Sequence, residues 1–313
     1  MEDHPVKPLA PATLALIALG TAASAQSLPG PLATPEEVSQ LLGQDVDVID
    51  IRAEDAYAEG HVDGAVNAPY ALFRGPDDNP GQLPTEEALT EILSERGLEP
   101  GTPVIVTYQG ESISDFGAAA RVYWTLKSAG IENLTILNGG LAAWEEAGLE
   151  LSTESVEIEP SDIEVTWDDT WTATADQVQA AIDGGDTLLL DARPESFWDG
   201  REAHPSAAKP GTLPQSEYFE HANWFSGGPA IIDGAAAKSL AQENGLTEAE
   251  ALISFCNTGH WAATNWFALS ELAEIDNVKL YPESMVGWSN AGYEMANVPG
   301  PIRTLWHQIR GIF

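Results

Sequence analysis

The sequence predicts an α/β fold of two tandem domains, each a mainly parallel sheet with helices on both faces. Short apolar segments rich in β-branched residues alternate with helical patterns, which is typical of parallel sheets. The chain has 313 residues, too long for one typical domain and comfortable for two. The order of its segments also repeats, and the repetition favours two equivalent domains.

Three features recur in both halves of the chain. A buried-type strand ends in Asp-x-Arg at Asp50 and again at Asp191, 141 residues later. Each half closes on Trp-x-x-Ala-Gly, at Trp144 and at Trp288, 144 residues apart. A helix with a capping start precedes each Asp-x-Arg strand. The capping starts are Thr34-Pro35-Glu36-Glu37 and Thr174-Ala175-Asp176-Gln177. We therefore predict two copies of one α/β domain.

The remaining elements and the boundaries follow from the same patterns. Strands are predicted at 104–108 and 252–255, and helical patterns follow them at 118–129 and 262–273. We expect a signal peptide over 1–25, a first domain over 26–152, an acidic linker over 153–168, a second domain over 169–298 and a helical tail over 299–313.

Cys256 is the only cysteine of the chain, and its position is unusual. The apolar segment Leu252-Ile253-Ser254-Phe255 ends on it, and a polar loop with one glycine leads into the next helical pattern. A lone cysteine forms no intramolecular disulfide, so packing, metal binding and reactivity remain. Where a strand feeds a helix, backbone N–H groups and the helix dipole point at the sulfur. Both favour the nucleophilic thiolate.

The loop Cys256–Trp261 resembles the active-site loop of the rhodanese superfamily, and most closely that of tandem-domain sulfurtransferases of the thiosulfate and 3-mercaptopyruvate type. The stretch Gly60-His61-Val62-Asp63-Gly64-Ala65 resembles the family's Gly-His-Ile-Pro-Gly-Ala stretch. The resemblance covers about residues 33–297. It implies two rhodanese-like domains and a Cys256 persulfide formed and discharged in a ping-pong reaction. It implies no cofactor, and the single cysteine and six scattered histidines show no metal-ligand spacing.

The resemblance also implies which residues meet the substrate. Gly259 allows a tight backbone path around the sulfur, and His260 is either a cation that assists an anionic donor or a surface histidine. Arg193 belongs to an Asp-x-Arg pair, for which a structural role is the stronger interpretation. The expected substrate-binding set is Asn257, Thr258, Gly259, His260, Trp261, Arg193 and Arg201, beside the catalytic Cys256.

The first copy lacks a nucleophile. Aligning the halves on the strand before the loop places Gln109 opposite Cys256. We expect the loop that contains Gln109 to be acidic and longer than the Cys256 loop. A glutamine amide cannot attack sulfur, so we expect the first domain to be inactive and to line a cleft between the domains.

Several functions remain open at this stage. Thiosulfate is the favoured donor, although thiosulfate-type relatives often place arginine or lysine after the cysteine, where this chain has Asn257 and Thr258. The alternatives are 3-mercaptopyruvate as donor and a non-catalytic periplasmic persulfide carrier. A cysteine-loop phosphatase would need arginine at position 262, which is Ala262. A thiol-disulfide oxidoreductase would need a second cysteine.

The formal charge of −36 limits the partners. It argues against nucleic acid and anionic lipid, because the phosphate interaction would be repulsive. The expected partners are a small anionic sulfur donor and a thiol or cyanide acceptor, and we expect a monomer. An anionic donor must be attracted by local dipoles against an unfavourable global field.

Both ends of the chain carry separate signals. Lys7 precedes an apolar run at 14–19, and Ala23-Ser24-Ala25 fits a small-x-small cleavage pattern. We therefore expect a periplasmic or secreted protein, with no membrane insertion after cleavage. Apolar residues recur at helical spacing over 301–313, which favours a tail helix that docks on the acidic protein.

Overall fold

The computed structural model describes Met1 and residues 28–300. In the first half, five strands form one sheet in the order β1-β5-β4-β2-β3, and every pairing is parallel. The strands are β1 Leu32–Ala33, β2 Asp47–Asp50, β3 Val66–Asn67, β4 Val104–Thr107 and β5 Leu134–Leu137. The helices are α1 Pro35–Leu41, α2 Glu54–Glu59, α3 Glu86–Ser94, α4 Ile113–Ser128 and α5 Gly140–Glu146, with a 3-10 helix at Tyr70–Phe73.

The second half repeats this arrangement with four parallel strands in the order β7-β6-β8-β9. A parallel bridge from Thr172 to Leu280 takes the place that β1 has in the first sheet. The strands are β6 Leu188–Asp191, β7 Glu217–Tyr218, β8 Leu252–Phe255 and β9 Val278–Leu280. The helices are α6 Ala175–Gly184, α7 Glu195–Trp198, α8 Gly234–Glu243, α9 Trp261–Trp266 and α10 Ser284–Asn290. Short 3-10 helices lie at Asp169–Trp171 and His221–Trp224. The predicted tandem α/β fold is confirmed.

The predicted helix starts are correct at both copies of the Asp-x-Arg strand. Thr34 and Thr174 each accept a hydrogen bond from the third helical residue, and that residue's side chain accepts one from the threonine N–H. These reciprocal capping boxes satisfy backbone donors that the first turn would otherwise leave free.

The strand registers correct the alignment of the two halves by one residue. Asp50 pairs with Thr107 and Asp191 with Phe255, so the residue equivalent to Cys256 is Tyr108. The helix begins five residues after this position in each half, so the first loop is not longer. The first domain still places no nucleophile at this position.

Side-chain contacts support the same correspondence. Arg52 Nη1 lies 3.5 Å from Gln109 Oε1, and Arg193 Nη1 lies 3.1 Å from Asn257 Oδ1. Gln109 is therefore the counterpart of Asn257. The alignment was wrong by one residue because the buried, apolar Tyr108 was assigned to the predicted strand, which ends at Thr107.

The two domains meet along α4 and α9, and they share one apolar core. Phe116 and Tyr123 of α4 pack edge-to-face against Phe267, with ring centroids 5.4 and 5.0 Å apart. Near the far end of the interface, Lys127 pairs with Glu271 at 2.8 Å. The strand-to-helix loops of both domains therefore face each other at the N-terminal ends of α4 and α9.

The acidic stretch 153–168 runs along the first domain without regular secondary structure. Ile163 and Val165 are buried in the core, and the Val165 N–H donates to Thr90 Oγ1 at 3.0 Å. The predicted signal peptide over 1–25 and most of the predicted tail over 299–313 lie outside the described residues. Within the described part of the chain, no helix is both long and apolar enough to cross a membrane.

Candidate active site

Cys256 lies directly after β8, at the carboxyl edge of the second sheet, and it is 1% exposed. Its N–H donates to Ser284 Oγ at 3.0 Å, and its carbonyl accepts from Met285 N at 3.1 Å. Ser284 donates in turn to the Tyr281 carbonyl, and its own backbone has a positive φ of 50°. Ser284 and Met285, the first residues of α10, therefore fix the backbone of Cys256.

The loop after Cys256 carries free backbone donors. Among the described residues, the N–H groups of residues 257–260 have no hydrogen-bond acceptor. Gly259 has a φ of 71°, a conformation that favours glycine, and a Cβ there would collide with Arg121 and Pro282. The predicted tight path at Gly259 is thus present, and it leaves a set of unfilled N–H groups beside the cysteine.

In the first domain, two of the four equivalent donors are already occupied. The carboxylate of Asp115 accepts from the N–H groups of Glu111 and Ser112, at 2.8 and 3.1 Å. The residue that corresponds to Asp115 in the second domain is Ala263, which has no side chain that could fill the loop. The first loop is therefore capped by its own carboxylate, whereas the second is open to an external anion or to sulfur.

Arg193 holds the loop. It is 2% exposed and forms a forked ion pair with Asp191, and it also donates to Asn257 Oδ1 and to the Gly211 carbonyl. Protein acceptors take four of its five N–H groups. The geometry therefore favours a positioning role over the expected substrate binding, and it agrees with the structural interpretation of the Asp-x-Arg pair.

Side chains of the first domain complete the site. Arg74 Nη1 donates to the Thr258 carbonyl at 3.0 Å and to the Tyr70 hydroxyl at 2.8 Å. Tyr70 then donates to His260 Nδ1 at 2.9 Å, and His260 Nε2 donates to the Ser114 carbonyl at 2.8 Å. This donor chain requires the Nε2–H tautomer of His260. It binds the Cys256 loop to the first domain.

The expectation that His260 is a cation at neutral pH is wrong. Burial, with a smaller contribution from the nearby charge of Arg74, lowers the pKa of His260 to about 3. The ring is partly buried between the domains, which also contradicts the alternative of a surface loop histidine. His260 is therefore neutral in the working range of pH.

Two other expected substrate residues have clear protein partners. Trp261 stacks on His221 with ring centroids 5.0 Å apart, and its Nε1 donates to Ser114 Oγ. Arg201 is 42% exposed and pairs with Asp199 and Glu195 rather than with the loop. Trp261 belongs to the wall between the domains, and no contact of Arg201 connects it to Cys256.

A model described as the rhodanese-like domain matches residues 34–147 and again residues 174–291. This chain belongs to the rhodanese-like family. The resemblance inferred from the loop is thereby confirmed, and the two matches cover strands β2 to β5 and β6 to β9.

Relatives of this rhodanese-like chain are sulfurtransferases. It is 27% identical over 265 residues to the thiosulfate sulfurtransferase of Azotobacter vinelandii, which covers 84% of this chain and 95% of the relative. It is 28% identical over 240 residues to the 3-mercaptopyruvate sulfurtransferase of Escherichia coli strain K12, with 74% and 81% covered. At the level of the family, the chain is a sulfurtransferase-type enzyme.

Solved structures support the fold. The anaerobic ergothioneine biosynthesis enzyme from Chlorobium limicola, in complex with trimethyl histidine, superposes with a TM-score of 0.76. It is 20% identical, and the match covers 90% of this chain and 74% of that chain.

Sequence reasoning missed the groups that reach the rhodanese-like loop from elsewhere. They are Tyr70, Arg74, Ser114, Arg121 and Ser284. One signal was available, because Arg121 is a charge in the middle of the apolar helical pattern that we predicted at 118–129, away from its ends. The others follow only from the packing of the two domains.

Proposed function

We propose that this protein is a thiosulfate sulfurtransferase that carries sulfur as a persulfide on Cys256. The Cys256 thiolate attacks the outer sulfur of thiosulfate, the S–S bond of the donor breaks, and sulfite leaves with the electron pair. An acceptor thiolate or cyanide then attacks the outer sulfur of the persulfide and releases the thiolate. The two half-reactions share no ternary complex, so the kinetics are ping-pong.

The observation that carries this proposal is the open loop beside the cysteine. The unfilled N–H groups of residues 257–260 suit a thiolate, a persulfide or the oxygens of a small anion. In the first domain, Asp115 accepts from two of the four equivalent donors, and Tyr108 replaces the nucleophile. The contrast between two otherwise equivalent loops supports chemistry in the second domain alone.

A half-buried arginine supports an anionic donor. Arg74 uses Nη1 for Tyr70 and Thr258, and its other N–H groups have no acceptor among the described residues. It therefore supplies, from the first domain, the positive charge that Asn257 and Thr258 lack. A local cation of this kind attracts thiosulfate despite the overall charge of −36.

Substitution of the nucleophile tests the proposal. Cys256→Ser should abolish thiocyanate formation from thiosulfate and cyanide and leave the circular dichroism spectrum unchanged, because serine is close in size but is not ionised at neutral pH. Cys256→Ala serves as the second variant. Turnover above a few per cent of wild type in either variant would place the chemistry elsewhere.

Substitution of Arg74 tests the choice of donor. We expect Arg74→Gln to raise KM for thiosulfate ~10-fold or more, since a hydrogen bond to a charged group contributes about 1.5–3 kcal/mol. Arg96→Gln is the matched control, because Arg96 binds only near its own helix. An unchanged KM for thiosulfate, together with faster turnover of 3-mercaptopyruvate, would favour the alternative donor. Capture of sulfur without turnover would favour a carrier.

The compartment is part of the same proposal. The cleavage pattern at Ala23-Ser24-Ala25 supports export to the periplasm or the medium. Fractionation of cells that express the full chain, with detection of a shortened mature form, tests it.

A further inference from the structure

Arg121 is a buried cation with no carboxylate partner. It lies in the middle of α4, it is 0% exposed, and no ion pair among the described residues includes it. Its Nη2 donates to the Gly81 carbonyl at 3.0 Å, and its Nη1 donates to the Gly259 carbonyl at 3.3 Å. Its Nε is buried without any acceptor. Removing an unpaired charge from water is costly, so a position of this kind calls for an explanation.

The other buried or partly buried cations near the loop do not share this state. Arg193 has Asp191 as its counter-ion. Arg74 is partly exposed and retains access to solvent. Arg121 therefore has no carboxylate partner in the described part of the chain and is shielded from solvent. The ring of Trp124, whose centroid lies 5.0 Å from the guanidinium carbon, offsets only part of that cost.

The thiolate form of Cys256 is the nearby anion that could balance the charge of Arg121. Arg121 binds the carbonyl of Gly259, three residues along the loop from the cysteine, and Gly259 has no Cβ that would push the guanidinium away. Burial lowers the pKa of Arg121 to about 10, with a further decrease caused by Arg74, whereas negative charge on Tyr70 or Cys256 raises it. Arg121 is thus still a cation at neutral pH, and it is bound to the loop that carries Cys256.

We infer that Arg121, a residue of the domain without a nucleophile, is the counter-ion of the Cys256 thiolate and of the persulfide formed on it. The part of the inference that concerns the persulfide rests on the proposed function. The part that concerns the thiolate does not. Arg121 acts as a positioning residue through its charge and through the Gly259 carbonyl. The inactive domain is then a part of the catalytic unit.

Other ionisable groups face the same loop from the elements that pack against it. They are Arg74 and Tyr70 from the first domain, and Asp191, Arg193, His221, His260 and Glu283 from the second. Asp191 and Arg193 neutralise each other, and His260 is neutral. Arg74 is the one nearby cation that could act in parallel, so a variant of Arg121 should lower the population of the thiolate without removing it.

Alkylation of the single cysteine tests the inference without any sulfur donor. We expect Arg121→Met to move the midpoint of the pH dependence of iodoacetamide alkylation upward by about one unit, so that the rate near pH 6 falls ~10-fold while the rate at high pH is retained. Arg121→Lys should restore most of the low-pH rate. Lys127→Met, on the same helix and paired with Glu271, is the control and should leave the profile unchanged.

A second variant covers the case in which Arg121→Met does not fold. Arg121→Gln keeps a donor for the Gly81 or Gly259 carbonyl but loses the charge, and it should slow alkylation near pH 6 as Arg121→Met does. An alkylation profile that both Arg121→Met and Arg121→Gln leave in place would overturn the inference. A shifted alkylation profile in a protein with no sulfur transfer would instead refute the proposed function and leave the inference standing.

Discussion

Cys256 depends on side chains from several distant parts of the chain. Ser284 fixes its backbone, Arg193 holds the next residue through Asn257, and Arg74 binds the carbonyl of Thr258. Each contact ends on the loop rather than on the sulfur. The Cys256 side chain is therefore positioned through its backbone, and in the described part of the chain the sulfur and the loop N–H groups have no hydrogen-bond partner.

His260 gives a prediction about pH at the scale of one residue. Because its pKa lies near 3, His260→Gln should leave the shape of the activity profile between pH 5 and 8 unchanged. The rate itself should fall on the order of tenfold, since the variant loosens the contacts that orient the loop. His204→Gln is the control for a histidine outside this donor chain.

The same low pKa affects stability. A histidine that stays neutral in the fold is protonated in the unfolded chain below about pH 6.5, so stability falls as the pH falls from that value toward 3. Wild type should therefore lose more melting temperature between pH 7 and 5 than His260→Gln does. If His260→Gln removes an ionisation near pH 6–7 from the activity profile, the neutral state of His260 is contradicted.

At the scale of elements, the sequence predicted what local chemistry controls. The strands before both loops, the capping boxes at Thr34 and Thr174 and the paired Asp-x-Arg motifs were all correct. The helix predicted at 262–273 is α-helical only to Trp266 and continues as a π-helix over Phe267–Leu272. That change follows from packing against the first domain, where Phe267 meets Phe116 and Tyr123. No local sequence pattern predicts this π-helix.

Asp47 provides a test of the first sheet. It begins β2, its Oδ2 is buried without a partner, and burial, aided by repulsion from Asp45 and Glu99, raises its pKa to about 6. A raised carboxyl pKa contributes stability below the unfolded value near 4, and that contribution is lost as the pH rises through 6. Asp47→Asn should therefore stabilise the protein at pH 7 by about 1 kcal/mol after allowance for solvent screening, and by nearly nothing at pH 4.

Denaturant unfolding at both pH values measures the effect of Asp47→Asn. Asp45→Asn is the control, because Asp45 is exposed and should give a smaller gain. An equal gain for Asp47→Asn at pH 4 and pH 7 would show that the carboxylate is not strained in the fold.

At the scale of the whole molecule, the two halves share one fold but differ in the loop that follows the central strand. The two loops are equivalent in position but differ in content, because Asp115 caps the first while the second has Cys256 and open donors. The repeat, and the lack of a cysteine opposite Cys256 in the first domain, were predictable from the sequence. Its contribution of Tyr70, Arg74 and Arg121 to the active loop was not, because those contacts exist only once α4 and α9 pack together.

The charge of −36 also acts on the whole molecule. Three of the 13 lysine and arginine residues, Arg74, Arg121 and Arg193, donate to the loop of residues 257–259. The site is locally positive on a strongly negative protein. Capture of an anionic donor should therefore improve as the salt concentration rises, because screening weakens the long-range repulsion more than the short-range attraction.

The most direct test of the account is the mass of the intact protein after exposure to a sulfur donor. Incubation with thiosulfate, followed by removal of the donor, should add the mass of one sulfur atom, located on the peptide that contains Cys256. Cyanide should then remove it, and Cys256→Ser should gain nothing. A wild-type protein that gains no sulfur from thiosulfate or 3-mercaptopyruvate, or that carries the added sulfur on another residue, would contradict the assignment of Cys256 as the sulfur carrier.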